Sequence, residues 1–146
     1  METIKIKILD EHASVPTFGS AFAAGADLYG INPDEIHIPP HETGKIGIGL
    51  AMAIPDGYFG AIFARSGIAT KQGLRPANCV GVVDADYRGE VIVALHNDTE
   101  DTQIIPPFAR IAQMVILPVP KIEYQVVKEL DDTFRGDKGF GSTGLK

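Results

Sequence analysis

Several features that would assign this chain to common protein classes are missing from its sequence. A single cysteine, Cys79, excludes an intrachain disulfide framework and favours a reducing compartment. No apolar run approaches the roughly 18 residues of a membrane-spanning helix, and the first residues lack the apolar segment of a signal peptide. With 13 basic and 19 acidic residues, the net charge of −6 disfavours a sequence-independent grip on nucleic acid. These absences predict a cytoplasmic protein with no membrane and no nucleic-acid partner.

The arrangement of apolar residues is typical of a protein built from many short strands. Glycine (16) and proline (10) cut the 146 residues into short segments, and a helical period never persists. Short apolar or alternating runs recur about every 8–12 residues, which indicates an all-β sandwich or jelly roll in one domain. The predicted strands cover residues 4–8, 27–29, 36–38, 45–50, 51–54, 58–64, 80–83, 91–95, 101–105, 110–117 and 122–127. Residues 66–72 predict one helical turn, ended by Gly73.

The most informative stretch is residues 78–90, Asn-Cys-Val-Gly-Val-Val-Asp-Ala-Asp-Tyr-Arg-Gly-Glu. Its valines predict a buried strand, its centre has turn-forming residues, and an apolar run follows, so we expect a β-hairpin. Cys79 is interpreted as a small core residue rather than a nucleophile. Spacing alone leaves two interpretations of the hairpin tip open, a solvated turn and a functional loop.

Three further segments are suited to binding anions. Arg65-Ser-Gly67 combines a guanidinium, a hydroxyl and backbone N–H groups. Arg110 and Gln113 flank two apolar residues at the start of a predicted strand, where a strand-edge charge and a buried amide are the simpler interpretation. Residues 135–144 join cations, hydroxyls and glycines to one aromatic residue, and could equally be a disordered tail. This last segment matches GxGxxG, but no strand precedes it, so a dinucleotide-binding fold is not indicated.

Taken together, these segments resemble the five motifs of the homotrimeric deoxyuridine triphosphatases (dUTP pyrophosphatases). The corresponding segments, in order, are residues 24–28, 65–67, 78–90, 110–114 and 135–144. The resemblance implies a jelly-roll domain over residues 1–130 and a mobile, glycine-rich C-terminal arm over residues 131–146. It also implies a homotrimer whose active sites lie at subunit interfaces, with the arm closing as a lid over the nucleotide.

The resemblance also implies the reaction and the residues that perform it. Asp84 is expected to orient and deprotonate the water that attacks the α-phosphorus of dUTP, giving dUMP and pyrophosphate. This reaction removes dUTP from the precursors of DNA and supplies dUMP. The substrate-binding residues implied are Arg65, Ser66, Gly67 and Gln113 for the phosphates; Asn78, Gly81, Val82, Val83 and Ile92 around the base; Tyr87 against the deoxyribose; and Arg135, Phe140, Gly141, Ser142 and Thr143 from the lid. Mg²⁺ is expected to bridge phosphate oxygens through water without a direct protein ligand, with Asp27 behind that water.

Some positions depart from the family pattern, and two other functions stay open. Ala64 stands where proline is common, Met114 where leucine is frequent, and Lys138 where glycine is usual. One alternative is a dCTP deaminase, which shares the fold. The other is a regulatory trimer that binds nucleotide without catalysis, although binding alone does not require Asp84.

Overall fold

The computed structural model describes residues 2–137 and residue 139. Within these residues the backbone forms twelve strands and one short helix, which confirms the all-β prediction. The strands are β1 (Lys5–Ile8), β2 (Thr17–Phe18), β3 (Ala26–Tyr29), β4 (Ile36–Ile38), β5 (Thr43–Gly47), β6 (Leu50–Ala53), β7 (Tyr58–Phe63), β8 (Leu74–Pro76), β9 (Gly81–Val83), β10 (Ile92–Asn97), β11 (Gln103–Ile105) and β12 (Arg110–Pro118). The helix α1 covers Ser66–Gln72.

The described strands pair, antiparallel throughout, into sheets that enclose one core. The largest sheet has the order β2-β3-β12-β7-β9, and a second has the order β5-β10-β8. The remaining pairs are β1-β6 and β11-β4. Leu28, Ile62 and Ile111 from the five-stranded sheet join Val93 and Leu95 from the three-stranded sheet in one buried cluster. Burying one apolar face of each sheet against the other is what an antiparallel sandwich requires.

The predicted hairpin between residues 80–83 and 91–95 is wrong. β9 pairs with β7, with Val83 opposite Gly60, whereas β10 pairs with β5 and β8. The link after Val83 therefore crosses from one sheet to the other instead of reversing within one sheet. Val83 and Val91 are both buried, because the two sheets direct their apolar faces to the same core.

Two predictions for residues 79–83 are also wrong, namely that the valines are all buried and that Cys79 is a core residue. Val83 is 7% exposed, but Val82 is 61% exposed and Val80 lies at the surface as well. Successive side chains of a strand point to opposite faces, so only one face of β9 reaches the core. Cys79 is exposed and has a left-handed backbone (φ 62°), so it lies in a turn before β9 and not in the core.

The predicted helical turn is confirmed. α1 ends at Gly73, which is left-handed (φ 60°) and donates its N–H to the carbonyl of Ile68. Glycine adopts this conformation without the steric cost that a Cβ imposes. Within the described residues, no helix combines the length and apolar character needed to cross a membrane.

The predicted strand at residues 122–127 is absent. β12 ends at Pro118, and residues 119–137 contain no strand. Ile122, Tyr124 and Val126 are 67%, 92% and 99% exposed, so the rest of the described chain does not cover them. Their alternation produced the prediction, but a strand also needs a neighbouring edge to pair with. The proposed division at residue 130 stays a prediction.

Candidate active site

A cleft of about 240 Å³ opens where β9 passes the start of β10. We call it the base cleft. It brings together seven residues that the sequence predicts to be functional: Asn78, Gly81, Val82, Val83, Asp84, Tyr87 and Ile92. Ile62, Glu90 and Val91 complete its lining. The seven predicted residues span fifteen positions, from Asn78 to Ile92, and the crossing between the two sheets brings them to one surface.

The backbone of β9 gives the base cleft directional hydrogen-bonding groups. In the described part of the chain, β9 is the last strand of its sheet and pairs with β7 on one side only. An edge strand presents N–H and C=O groups on its other side. These alternating donors and acceptors suit a planar ring that carries its own alternating acceptors and donors.

The loop from Asp84 to Glu90 is held in shape by its own contacts. The N–H of Tyr87 donates to the carbonyl of Asp84 (3.1 Å), and the Tyr87 hydroxyl donates to the carbonyl of Glu90 (2.9 Å). The Glu90 carboxylate accepts a bond from the N–H of Gly49 (2.9 Å), which fastens the loop to the turn between β5 and β6. A Cβ at Gly89 would lie 2.5 Å from the Tyr87 hydroxyl, so the close approach of the ring requires glycine here.

A second group of predicted residues surrounds Asp27 on β3. One oxygen of its carboxylate accepts a bond from Arg65 Nε (2.8 Å), and the other accepts from Arg110 Nη1 (3.2 Å). We call Asp27, Arg65 and Arg110 the arginine cluster. The bridging carboxylate fixes two guanidinium groups side by side, an arrangement suited to a polyanion. The sequence did not indicate that Arg110 shares Asp27 with Arg65.

Three other residues predicted to bind phosphate lie beside this cluster. Gln113 is opposite Asp27 in the β3–β12 register, and its Nε2 donates to the carbonyl of Ala64 (2.9 Å). The Gln113 side-chain amide therefore donates to the backbone, which agrees with the simpler interpretation of this residue as a structural amide. Ser66 and Gly67 follow Arg65 at the start of α1, and both are exposed.

Asp84 and Asp27 lie far apart on the five-stranded sheet. Val83 on β9 is paired with Gly60 on β7, and Asp84 is the next residue. Asp27 on β3 is paired with Gln113 on β12, which is paired in turn with Phe63 on β7. Three strand spacings of about 4.8 Å and four residue steps of about 3.3 Å place Asp84 on the order of 20 Å from Asp27. Asp84 and Asp27 of one chain are therefore too far apart to contact the same phosphate group.

One of the predicted lid residues lies in the part of the chain that the structure describes. Arg135 is exposed. Phe140, Gly141, Ser142 and Thr143 lie outside the described residues, as does Lys138.

Protein side chains alone do not form a metal cage in the described residues. No three His, Cys, Asp or Glu side chains there lie close enough together to hold an ion. Asp27, predicted to lie behind the water shell of Mg²⁺, is engaged by two arginines. Mg²⁺ usually keeps several waters and binds substrate phosphates with one or two carboxylates. The described residues are compatible with an ion that is held mainly by phosphates and water, and the absence of a direct protein ligand stays a prediction.

Comparison with known proteins identifies the family. The family model named dUTPase matches residues 11–144. The chain belongs to the dUTPase family. It is 45% identical over 150 residues to the deoxyuridine 5'-triphosphate nucleotidohydrolase of Desulfitobacterium hafniense (strain DSM 10664 / DCB-2), covering 99% of each chain. The enzyme of the same name from Hydrogenobaculum sp. (strain Y04AAS1) is 44% identical over 141 residues, covering 97% of each.

Solved structures of dUTPases have the same fold as this chain. The Staphylococcus bacteriophage 80alpha dUTPase with dUPNHPP superposes with a TM-score of 0.86 at 27% identity, over 99% of this chain and 100% of that one. A mutant dUTPase from phage phi11 of S. aureus, described with a structural Mg(II) ion, gives a TM-score of 0.79 at 24% identity, over 90% and 100%. The latter likeness concerns the fold alone. These matches confirm the predicted dUTPase-type jelly roll.

Proposed function

We propose that this chain hydrolyses dUTP to dUMP and pyrophosphate, with Asp84 as the carboxylate that activates water. The observation that carries the proposal is the base cleft, which places Asp84 beside an edge-strand backbone and Tyr87. Membership of the dUTPase family and the names of the relatives support the same reaction.

The reaction needs one base and one leaving group. Asp84 accepts a proton from a water whose oxygen bonds to the α-phosphorus, while the bond from that phosphorus to the α–β bridging oxygen breaks. Pyrophosphate leaves with the electron pair of the broken bond. An exposed aspartate is ordinarily ionised at neutral pH and can serve as this base.

Base and sugar are selected by the shape and polarity of the base cleft. The uracil edge presents two carbonyl acceptors on either side of an N–H donor, which complements Asn78 and the free backbone edge of β9. Val82 and Ile92, both exposed in one chain, provide apolar walls. Tyr87, held by Glu90 and Gly89, packs against the deoxyribose and leaves a 2′-hydroxyl without a partner.

The triphosphate completes its site with residues from another copy of the chain. Two features favour a homotrimer with its sites at the interfaces. Asp84 and Asp27 are separated by about 20 Å, and apolar residues after Pro118 are exposed. In that assembly Arg65, Ser66, Gly67 and Gln113 hold the phosphates, and the lid residues Arg135, Phe140, Gly141, Ser142 and Thr143 cover the nucleotide. Mg²⁺ bound to the phosphates would neutralise their charge. We also propose that the protein acts in the cytoplasm, as its sequence predicts.

A substrate panel tests the proposed function. Pyrophosphate release is expected from dUTP, with kcat/KM lower by about tenfold or more for UTP, dCTP and dTTP. UTP and dCTP would each leave a buried polar group unpaired, which costs about 1–3 kcal/mol. The 5-methyl group of dTTP would overfill the base cleft, which costs about 1–3 kcal/mol as well. Ammonia released from dCTP would instead show a deaminase. Tight nucleotide binding without turnover of dUTP would show the regulatory alternative.

Replacing Gly89 by alanine tests the role of Tyr87. The new Cβ would displace the Tyr87 ring, because it would lie 2.5 Å from the hydroxyl. The preference for dUTP over UTP, measured as a ratio of kcat/KM values, is expected to fall by about tenfold, equivalent to about 1.4 kcal/mol. Gly19→Ala is the matched control, since a Cβ at Gly19 meets nothing within 4 Å. An unchanged ratio in Gly89→Ala would contradict the assignment of Tyr87 to the sugar.

A further inference from the structure

An ion pair next to the base cleft joins two residues that the proposed reaction does not use. Arg75 on β8 lies opposite His96 on β10, two residues before Asp98. Arg75 Nε donates to Asp98 Oδ2 (2.6 Å), and Nη2 donates to Oδ1 (3.0 Å). The side-chain bonds from Arg75 hold the pKa of Asp98 below its usual range. Two parallel bonds to one carboxylate fix both the position and the plane of a guanidinium.

The third nitrogen of Arg75 reaches the turn between β8 and β9, which covers residues 77–80. Nη1 donates to the carbonyls of Pro76 and Ala77, both at 3.3 Å, and lies 3.8 Å from the sulfur of Cys79. One guanidinium thus joins a carboxylate just after the neighbouring strand β10 to the last residue of β8 and to two residues of the turn.

The turn has a backbone conformation that needs outside support. Cys79 has φ 62°, which non-glycine residues rarely adopt, and the N–H of Val80 donates to the carbonyl of Asn78 across it (2.7 Å). A three-residue turn with a positive central φ is the rare, strained form. Such a conformation persists only where surrounding contacts hold it. The N–H groups of Cys79 and Ala77 donate to the carbonyls of Pro76 and Ala94, both at 2.8 Å, and hold part of the turn. The bonds from Arg75 Nη1 are the side-chain contacts that add to them.

The residue carried by this turn is Asn78. It lines the base cleft and also an adjoining cleft of about 250 Å³, which shares Ile62, Gly81 and Ile92 with it. We propose that Arg75, held by Asp98, is a positioning residue that fixes the turn and so sets how tightly and how selectively Asn78 binds the base. This inference rests on the proposed function. Asp84 lies beyond the opposite end of β9, so nucleotide binding is expected to change more than turnover.

The variants Arg75→Gln and Asp98→Asn test the proposal. In Arg75→Gln, KM for dUTP and Kd for a non-hydrolysable imido analogue of dUTP are expected to rise by about tenfold, with kcat within about twofold of wild type. The preference for dUTP over dCTP should fall by a similar factor. Asp98→Asn should shift Kd the same way by about threefold, since asparagine keeps one acceptor for Arg75. Melting temperature and sedimentation check that each variant folds and assembles. If Arg75→Gln does not fold, Asp98→Asn provides the test.

A double variant separates positioning from a general structural role. If Arg75 acts through Asn78, adding Arg75→Gln to Asn78→Ala should not raise Kd further. Glu100→Gln is the control, because it removes another exposed carboxylate, one that pairs with His41 (3.0 Å) rather than with the turn; its Kd should match wild type. An unchanged Kd in both single variants, or an additive rise in the double variant, overturns this inference alone. A wild-type chain that does not hydrolyse dUTP overturns the proposed function and this inference with it.

Discussion

Replacing Asp84 by asparagine is expected to lower kcat for dUTP by about a thousandfold, within the range of about 10²–10⁴ for removing a general base. Asparagine has nearly the same shape but takes up no proton, so water loses its base while the base cleft keeps its lining. The Kd of the imido analogue should therefore change by less than about threefold, since shape and uncharged contacts are retained. Single-turnover pyrophosphate release and calorimetric binding measure the two quantities separately.

Asp86→Asn is the matched control for this experiment. Asp86 is also exposed and lies two residues further along the same loop, but it is not among the residues that line the base cleft. It should retain most of the turnover. If Asp84→Asn stays active, the base has been assigned to the wrong residue; if both variants are inactive, the loss reflects the charge of the loop and not one carboxylate.

Deleting residues 134–146 is expected to remove most of the activity without unfolding the protein. Among the described residues the last strand ends at Pro118 and residues 134–137 are exposed, so we expect the core not to depend on the deleted segment. The segment carries the proposed lid, which would exclude water and orient the triphosphate. We expect kcat/KM for dUTP to fall by about 100-fold, as is typical when substrate positioning is lost.

Deleting only residues 145–146 is the control for this truncation, because it leaves the fifth motif intact. Sedimentation and thermal melting should give equal assembly and stability for the full chain and both truncations. A kcat/KM unchanged by the longer deletion would show that residues 134–146 are not a lid. A truncated chain that no longer assembles would instead assign the segment to the subunit interface.

The sequence predicted those parts of the fold that depend on local chemistry. The apolar pattern of β3, β7 and β12 and the glycine that ends α1 are local signals, and the structure contains these elements. The hairpin failed because strand pairing depends on which distant edges are free, and adjacency in sequence only favours a partner. Cys79 failed for a related reason, since a valine-rich context does not indicate a positive φ.

The sequence also predicted which residues gather at the base cleft, but not what supports them. The resemblance assigned binding or catalytic roles to Asn78, Asp84 and Tyr87 within one stretch of sequence, and in the structure all three line one cleft. Arg75 and Asp98 are 23 positions apart, so no motif or period links them. Contacts of this kind arise from the pairing of β8 with β10 and become visible only in three dimensions.

The distance between Asp84 and Asp27 of the arginine cluster has a genetic consequence. If one copy supplies Asp84 and its neighbour supplies the arginine cluster, a chain with a mutated Asp84 still contributes an intact arginine cluster to the neighbouring site. Mixed assemblies of two differently damaged chains would then contain some intact sites, whereas two chains with the same damage would contain none. Mutant alleles of this gene that affect Asp84 and those that affect the arginine cluster should accordingly show intragenic complementation.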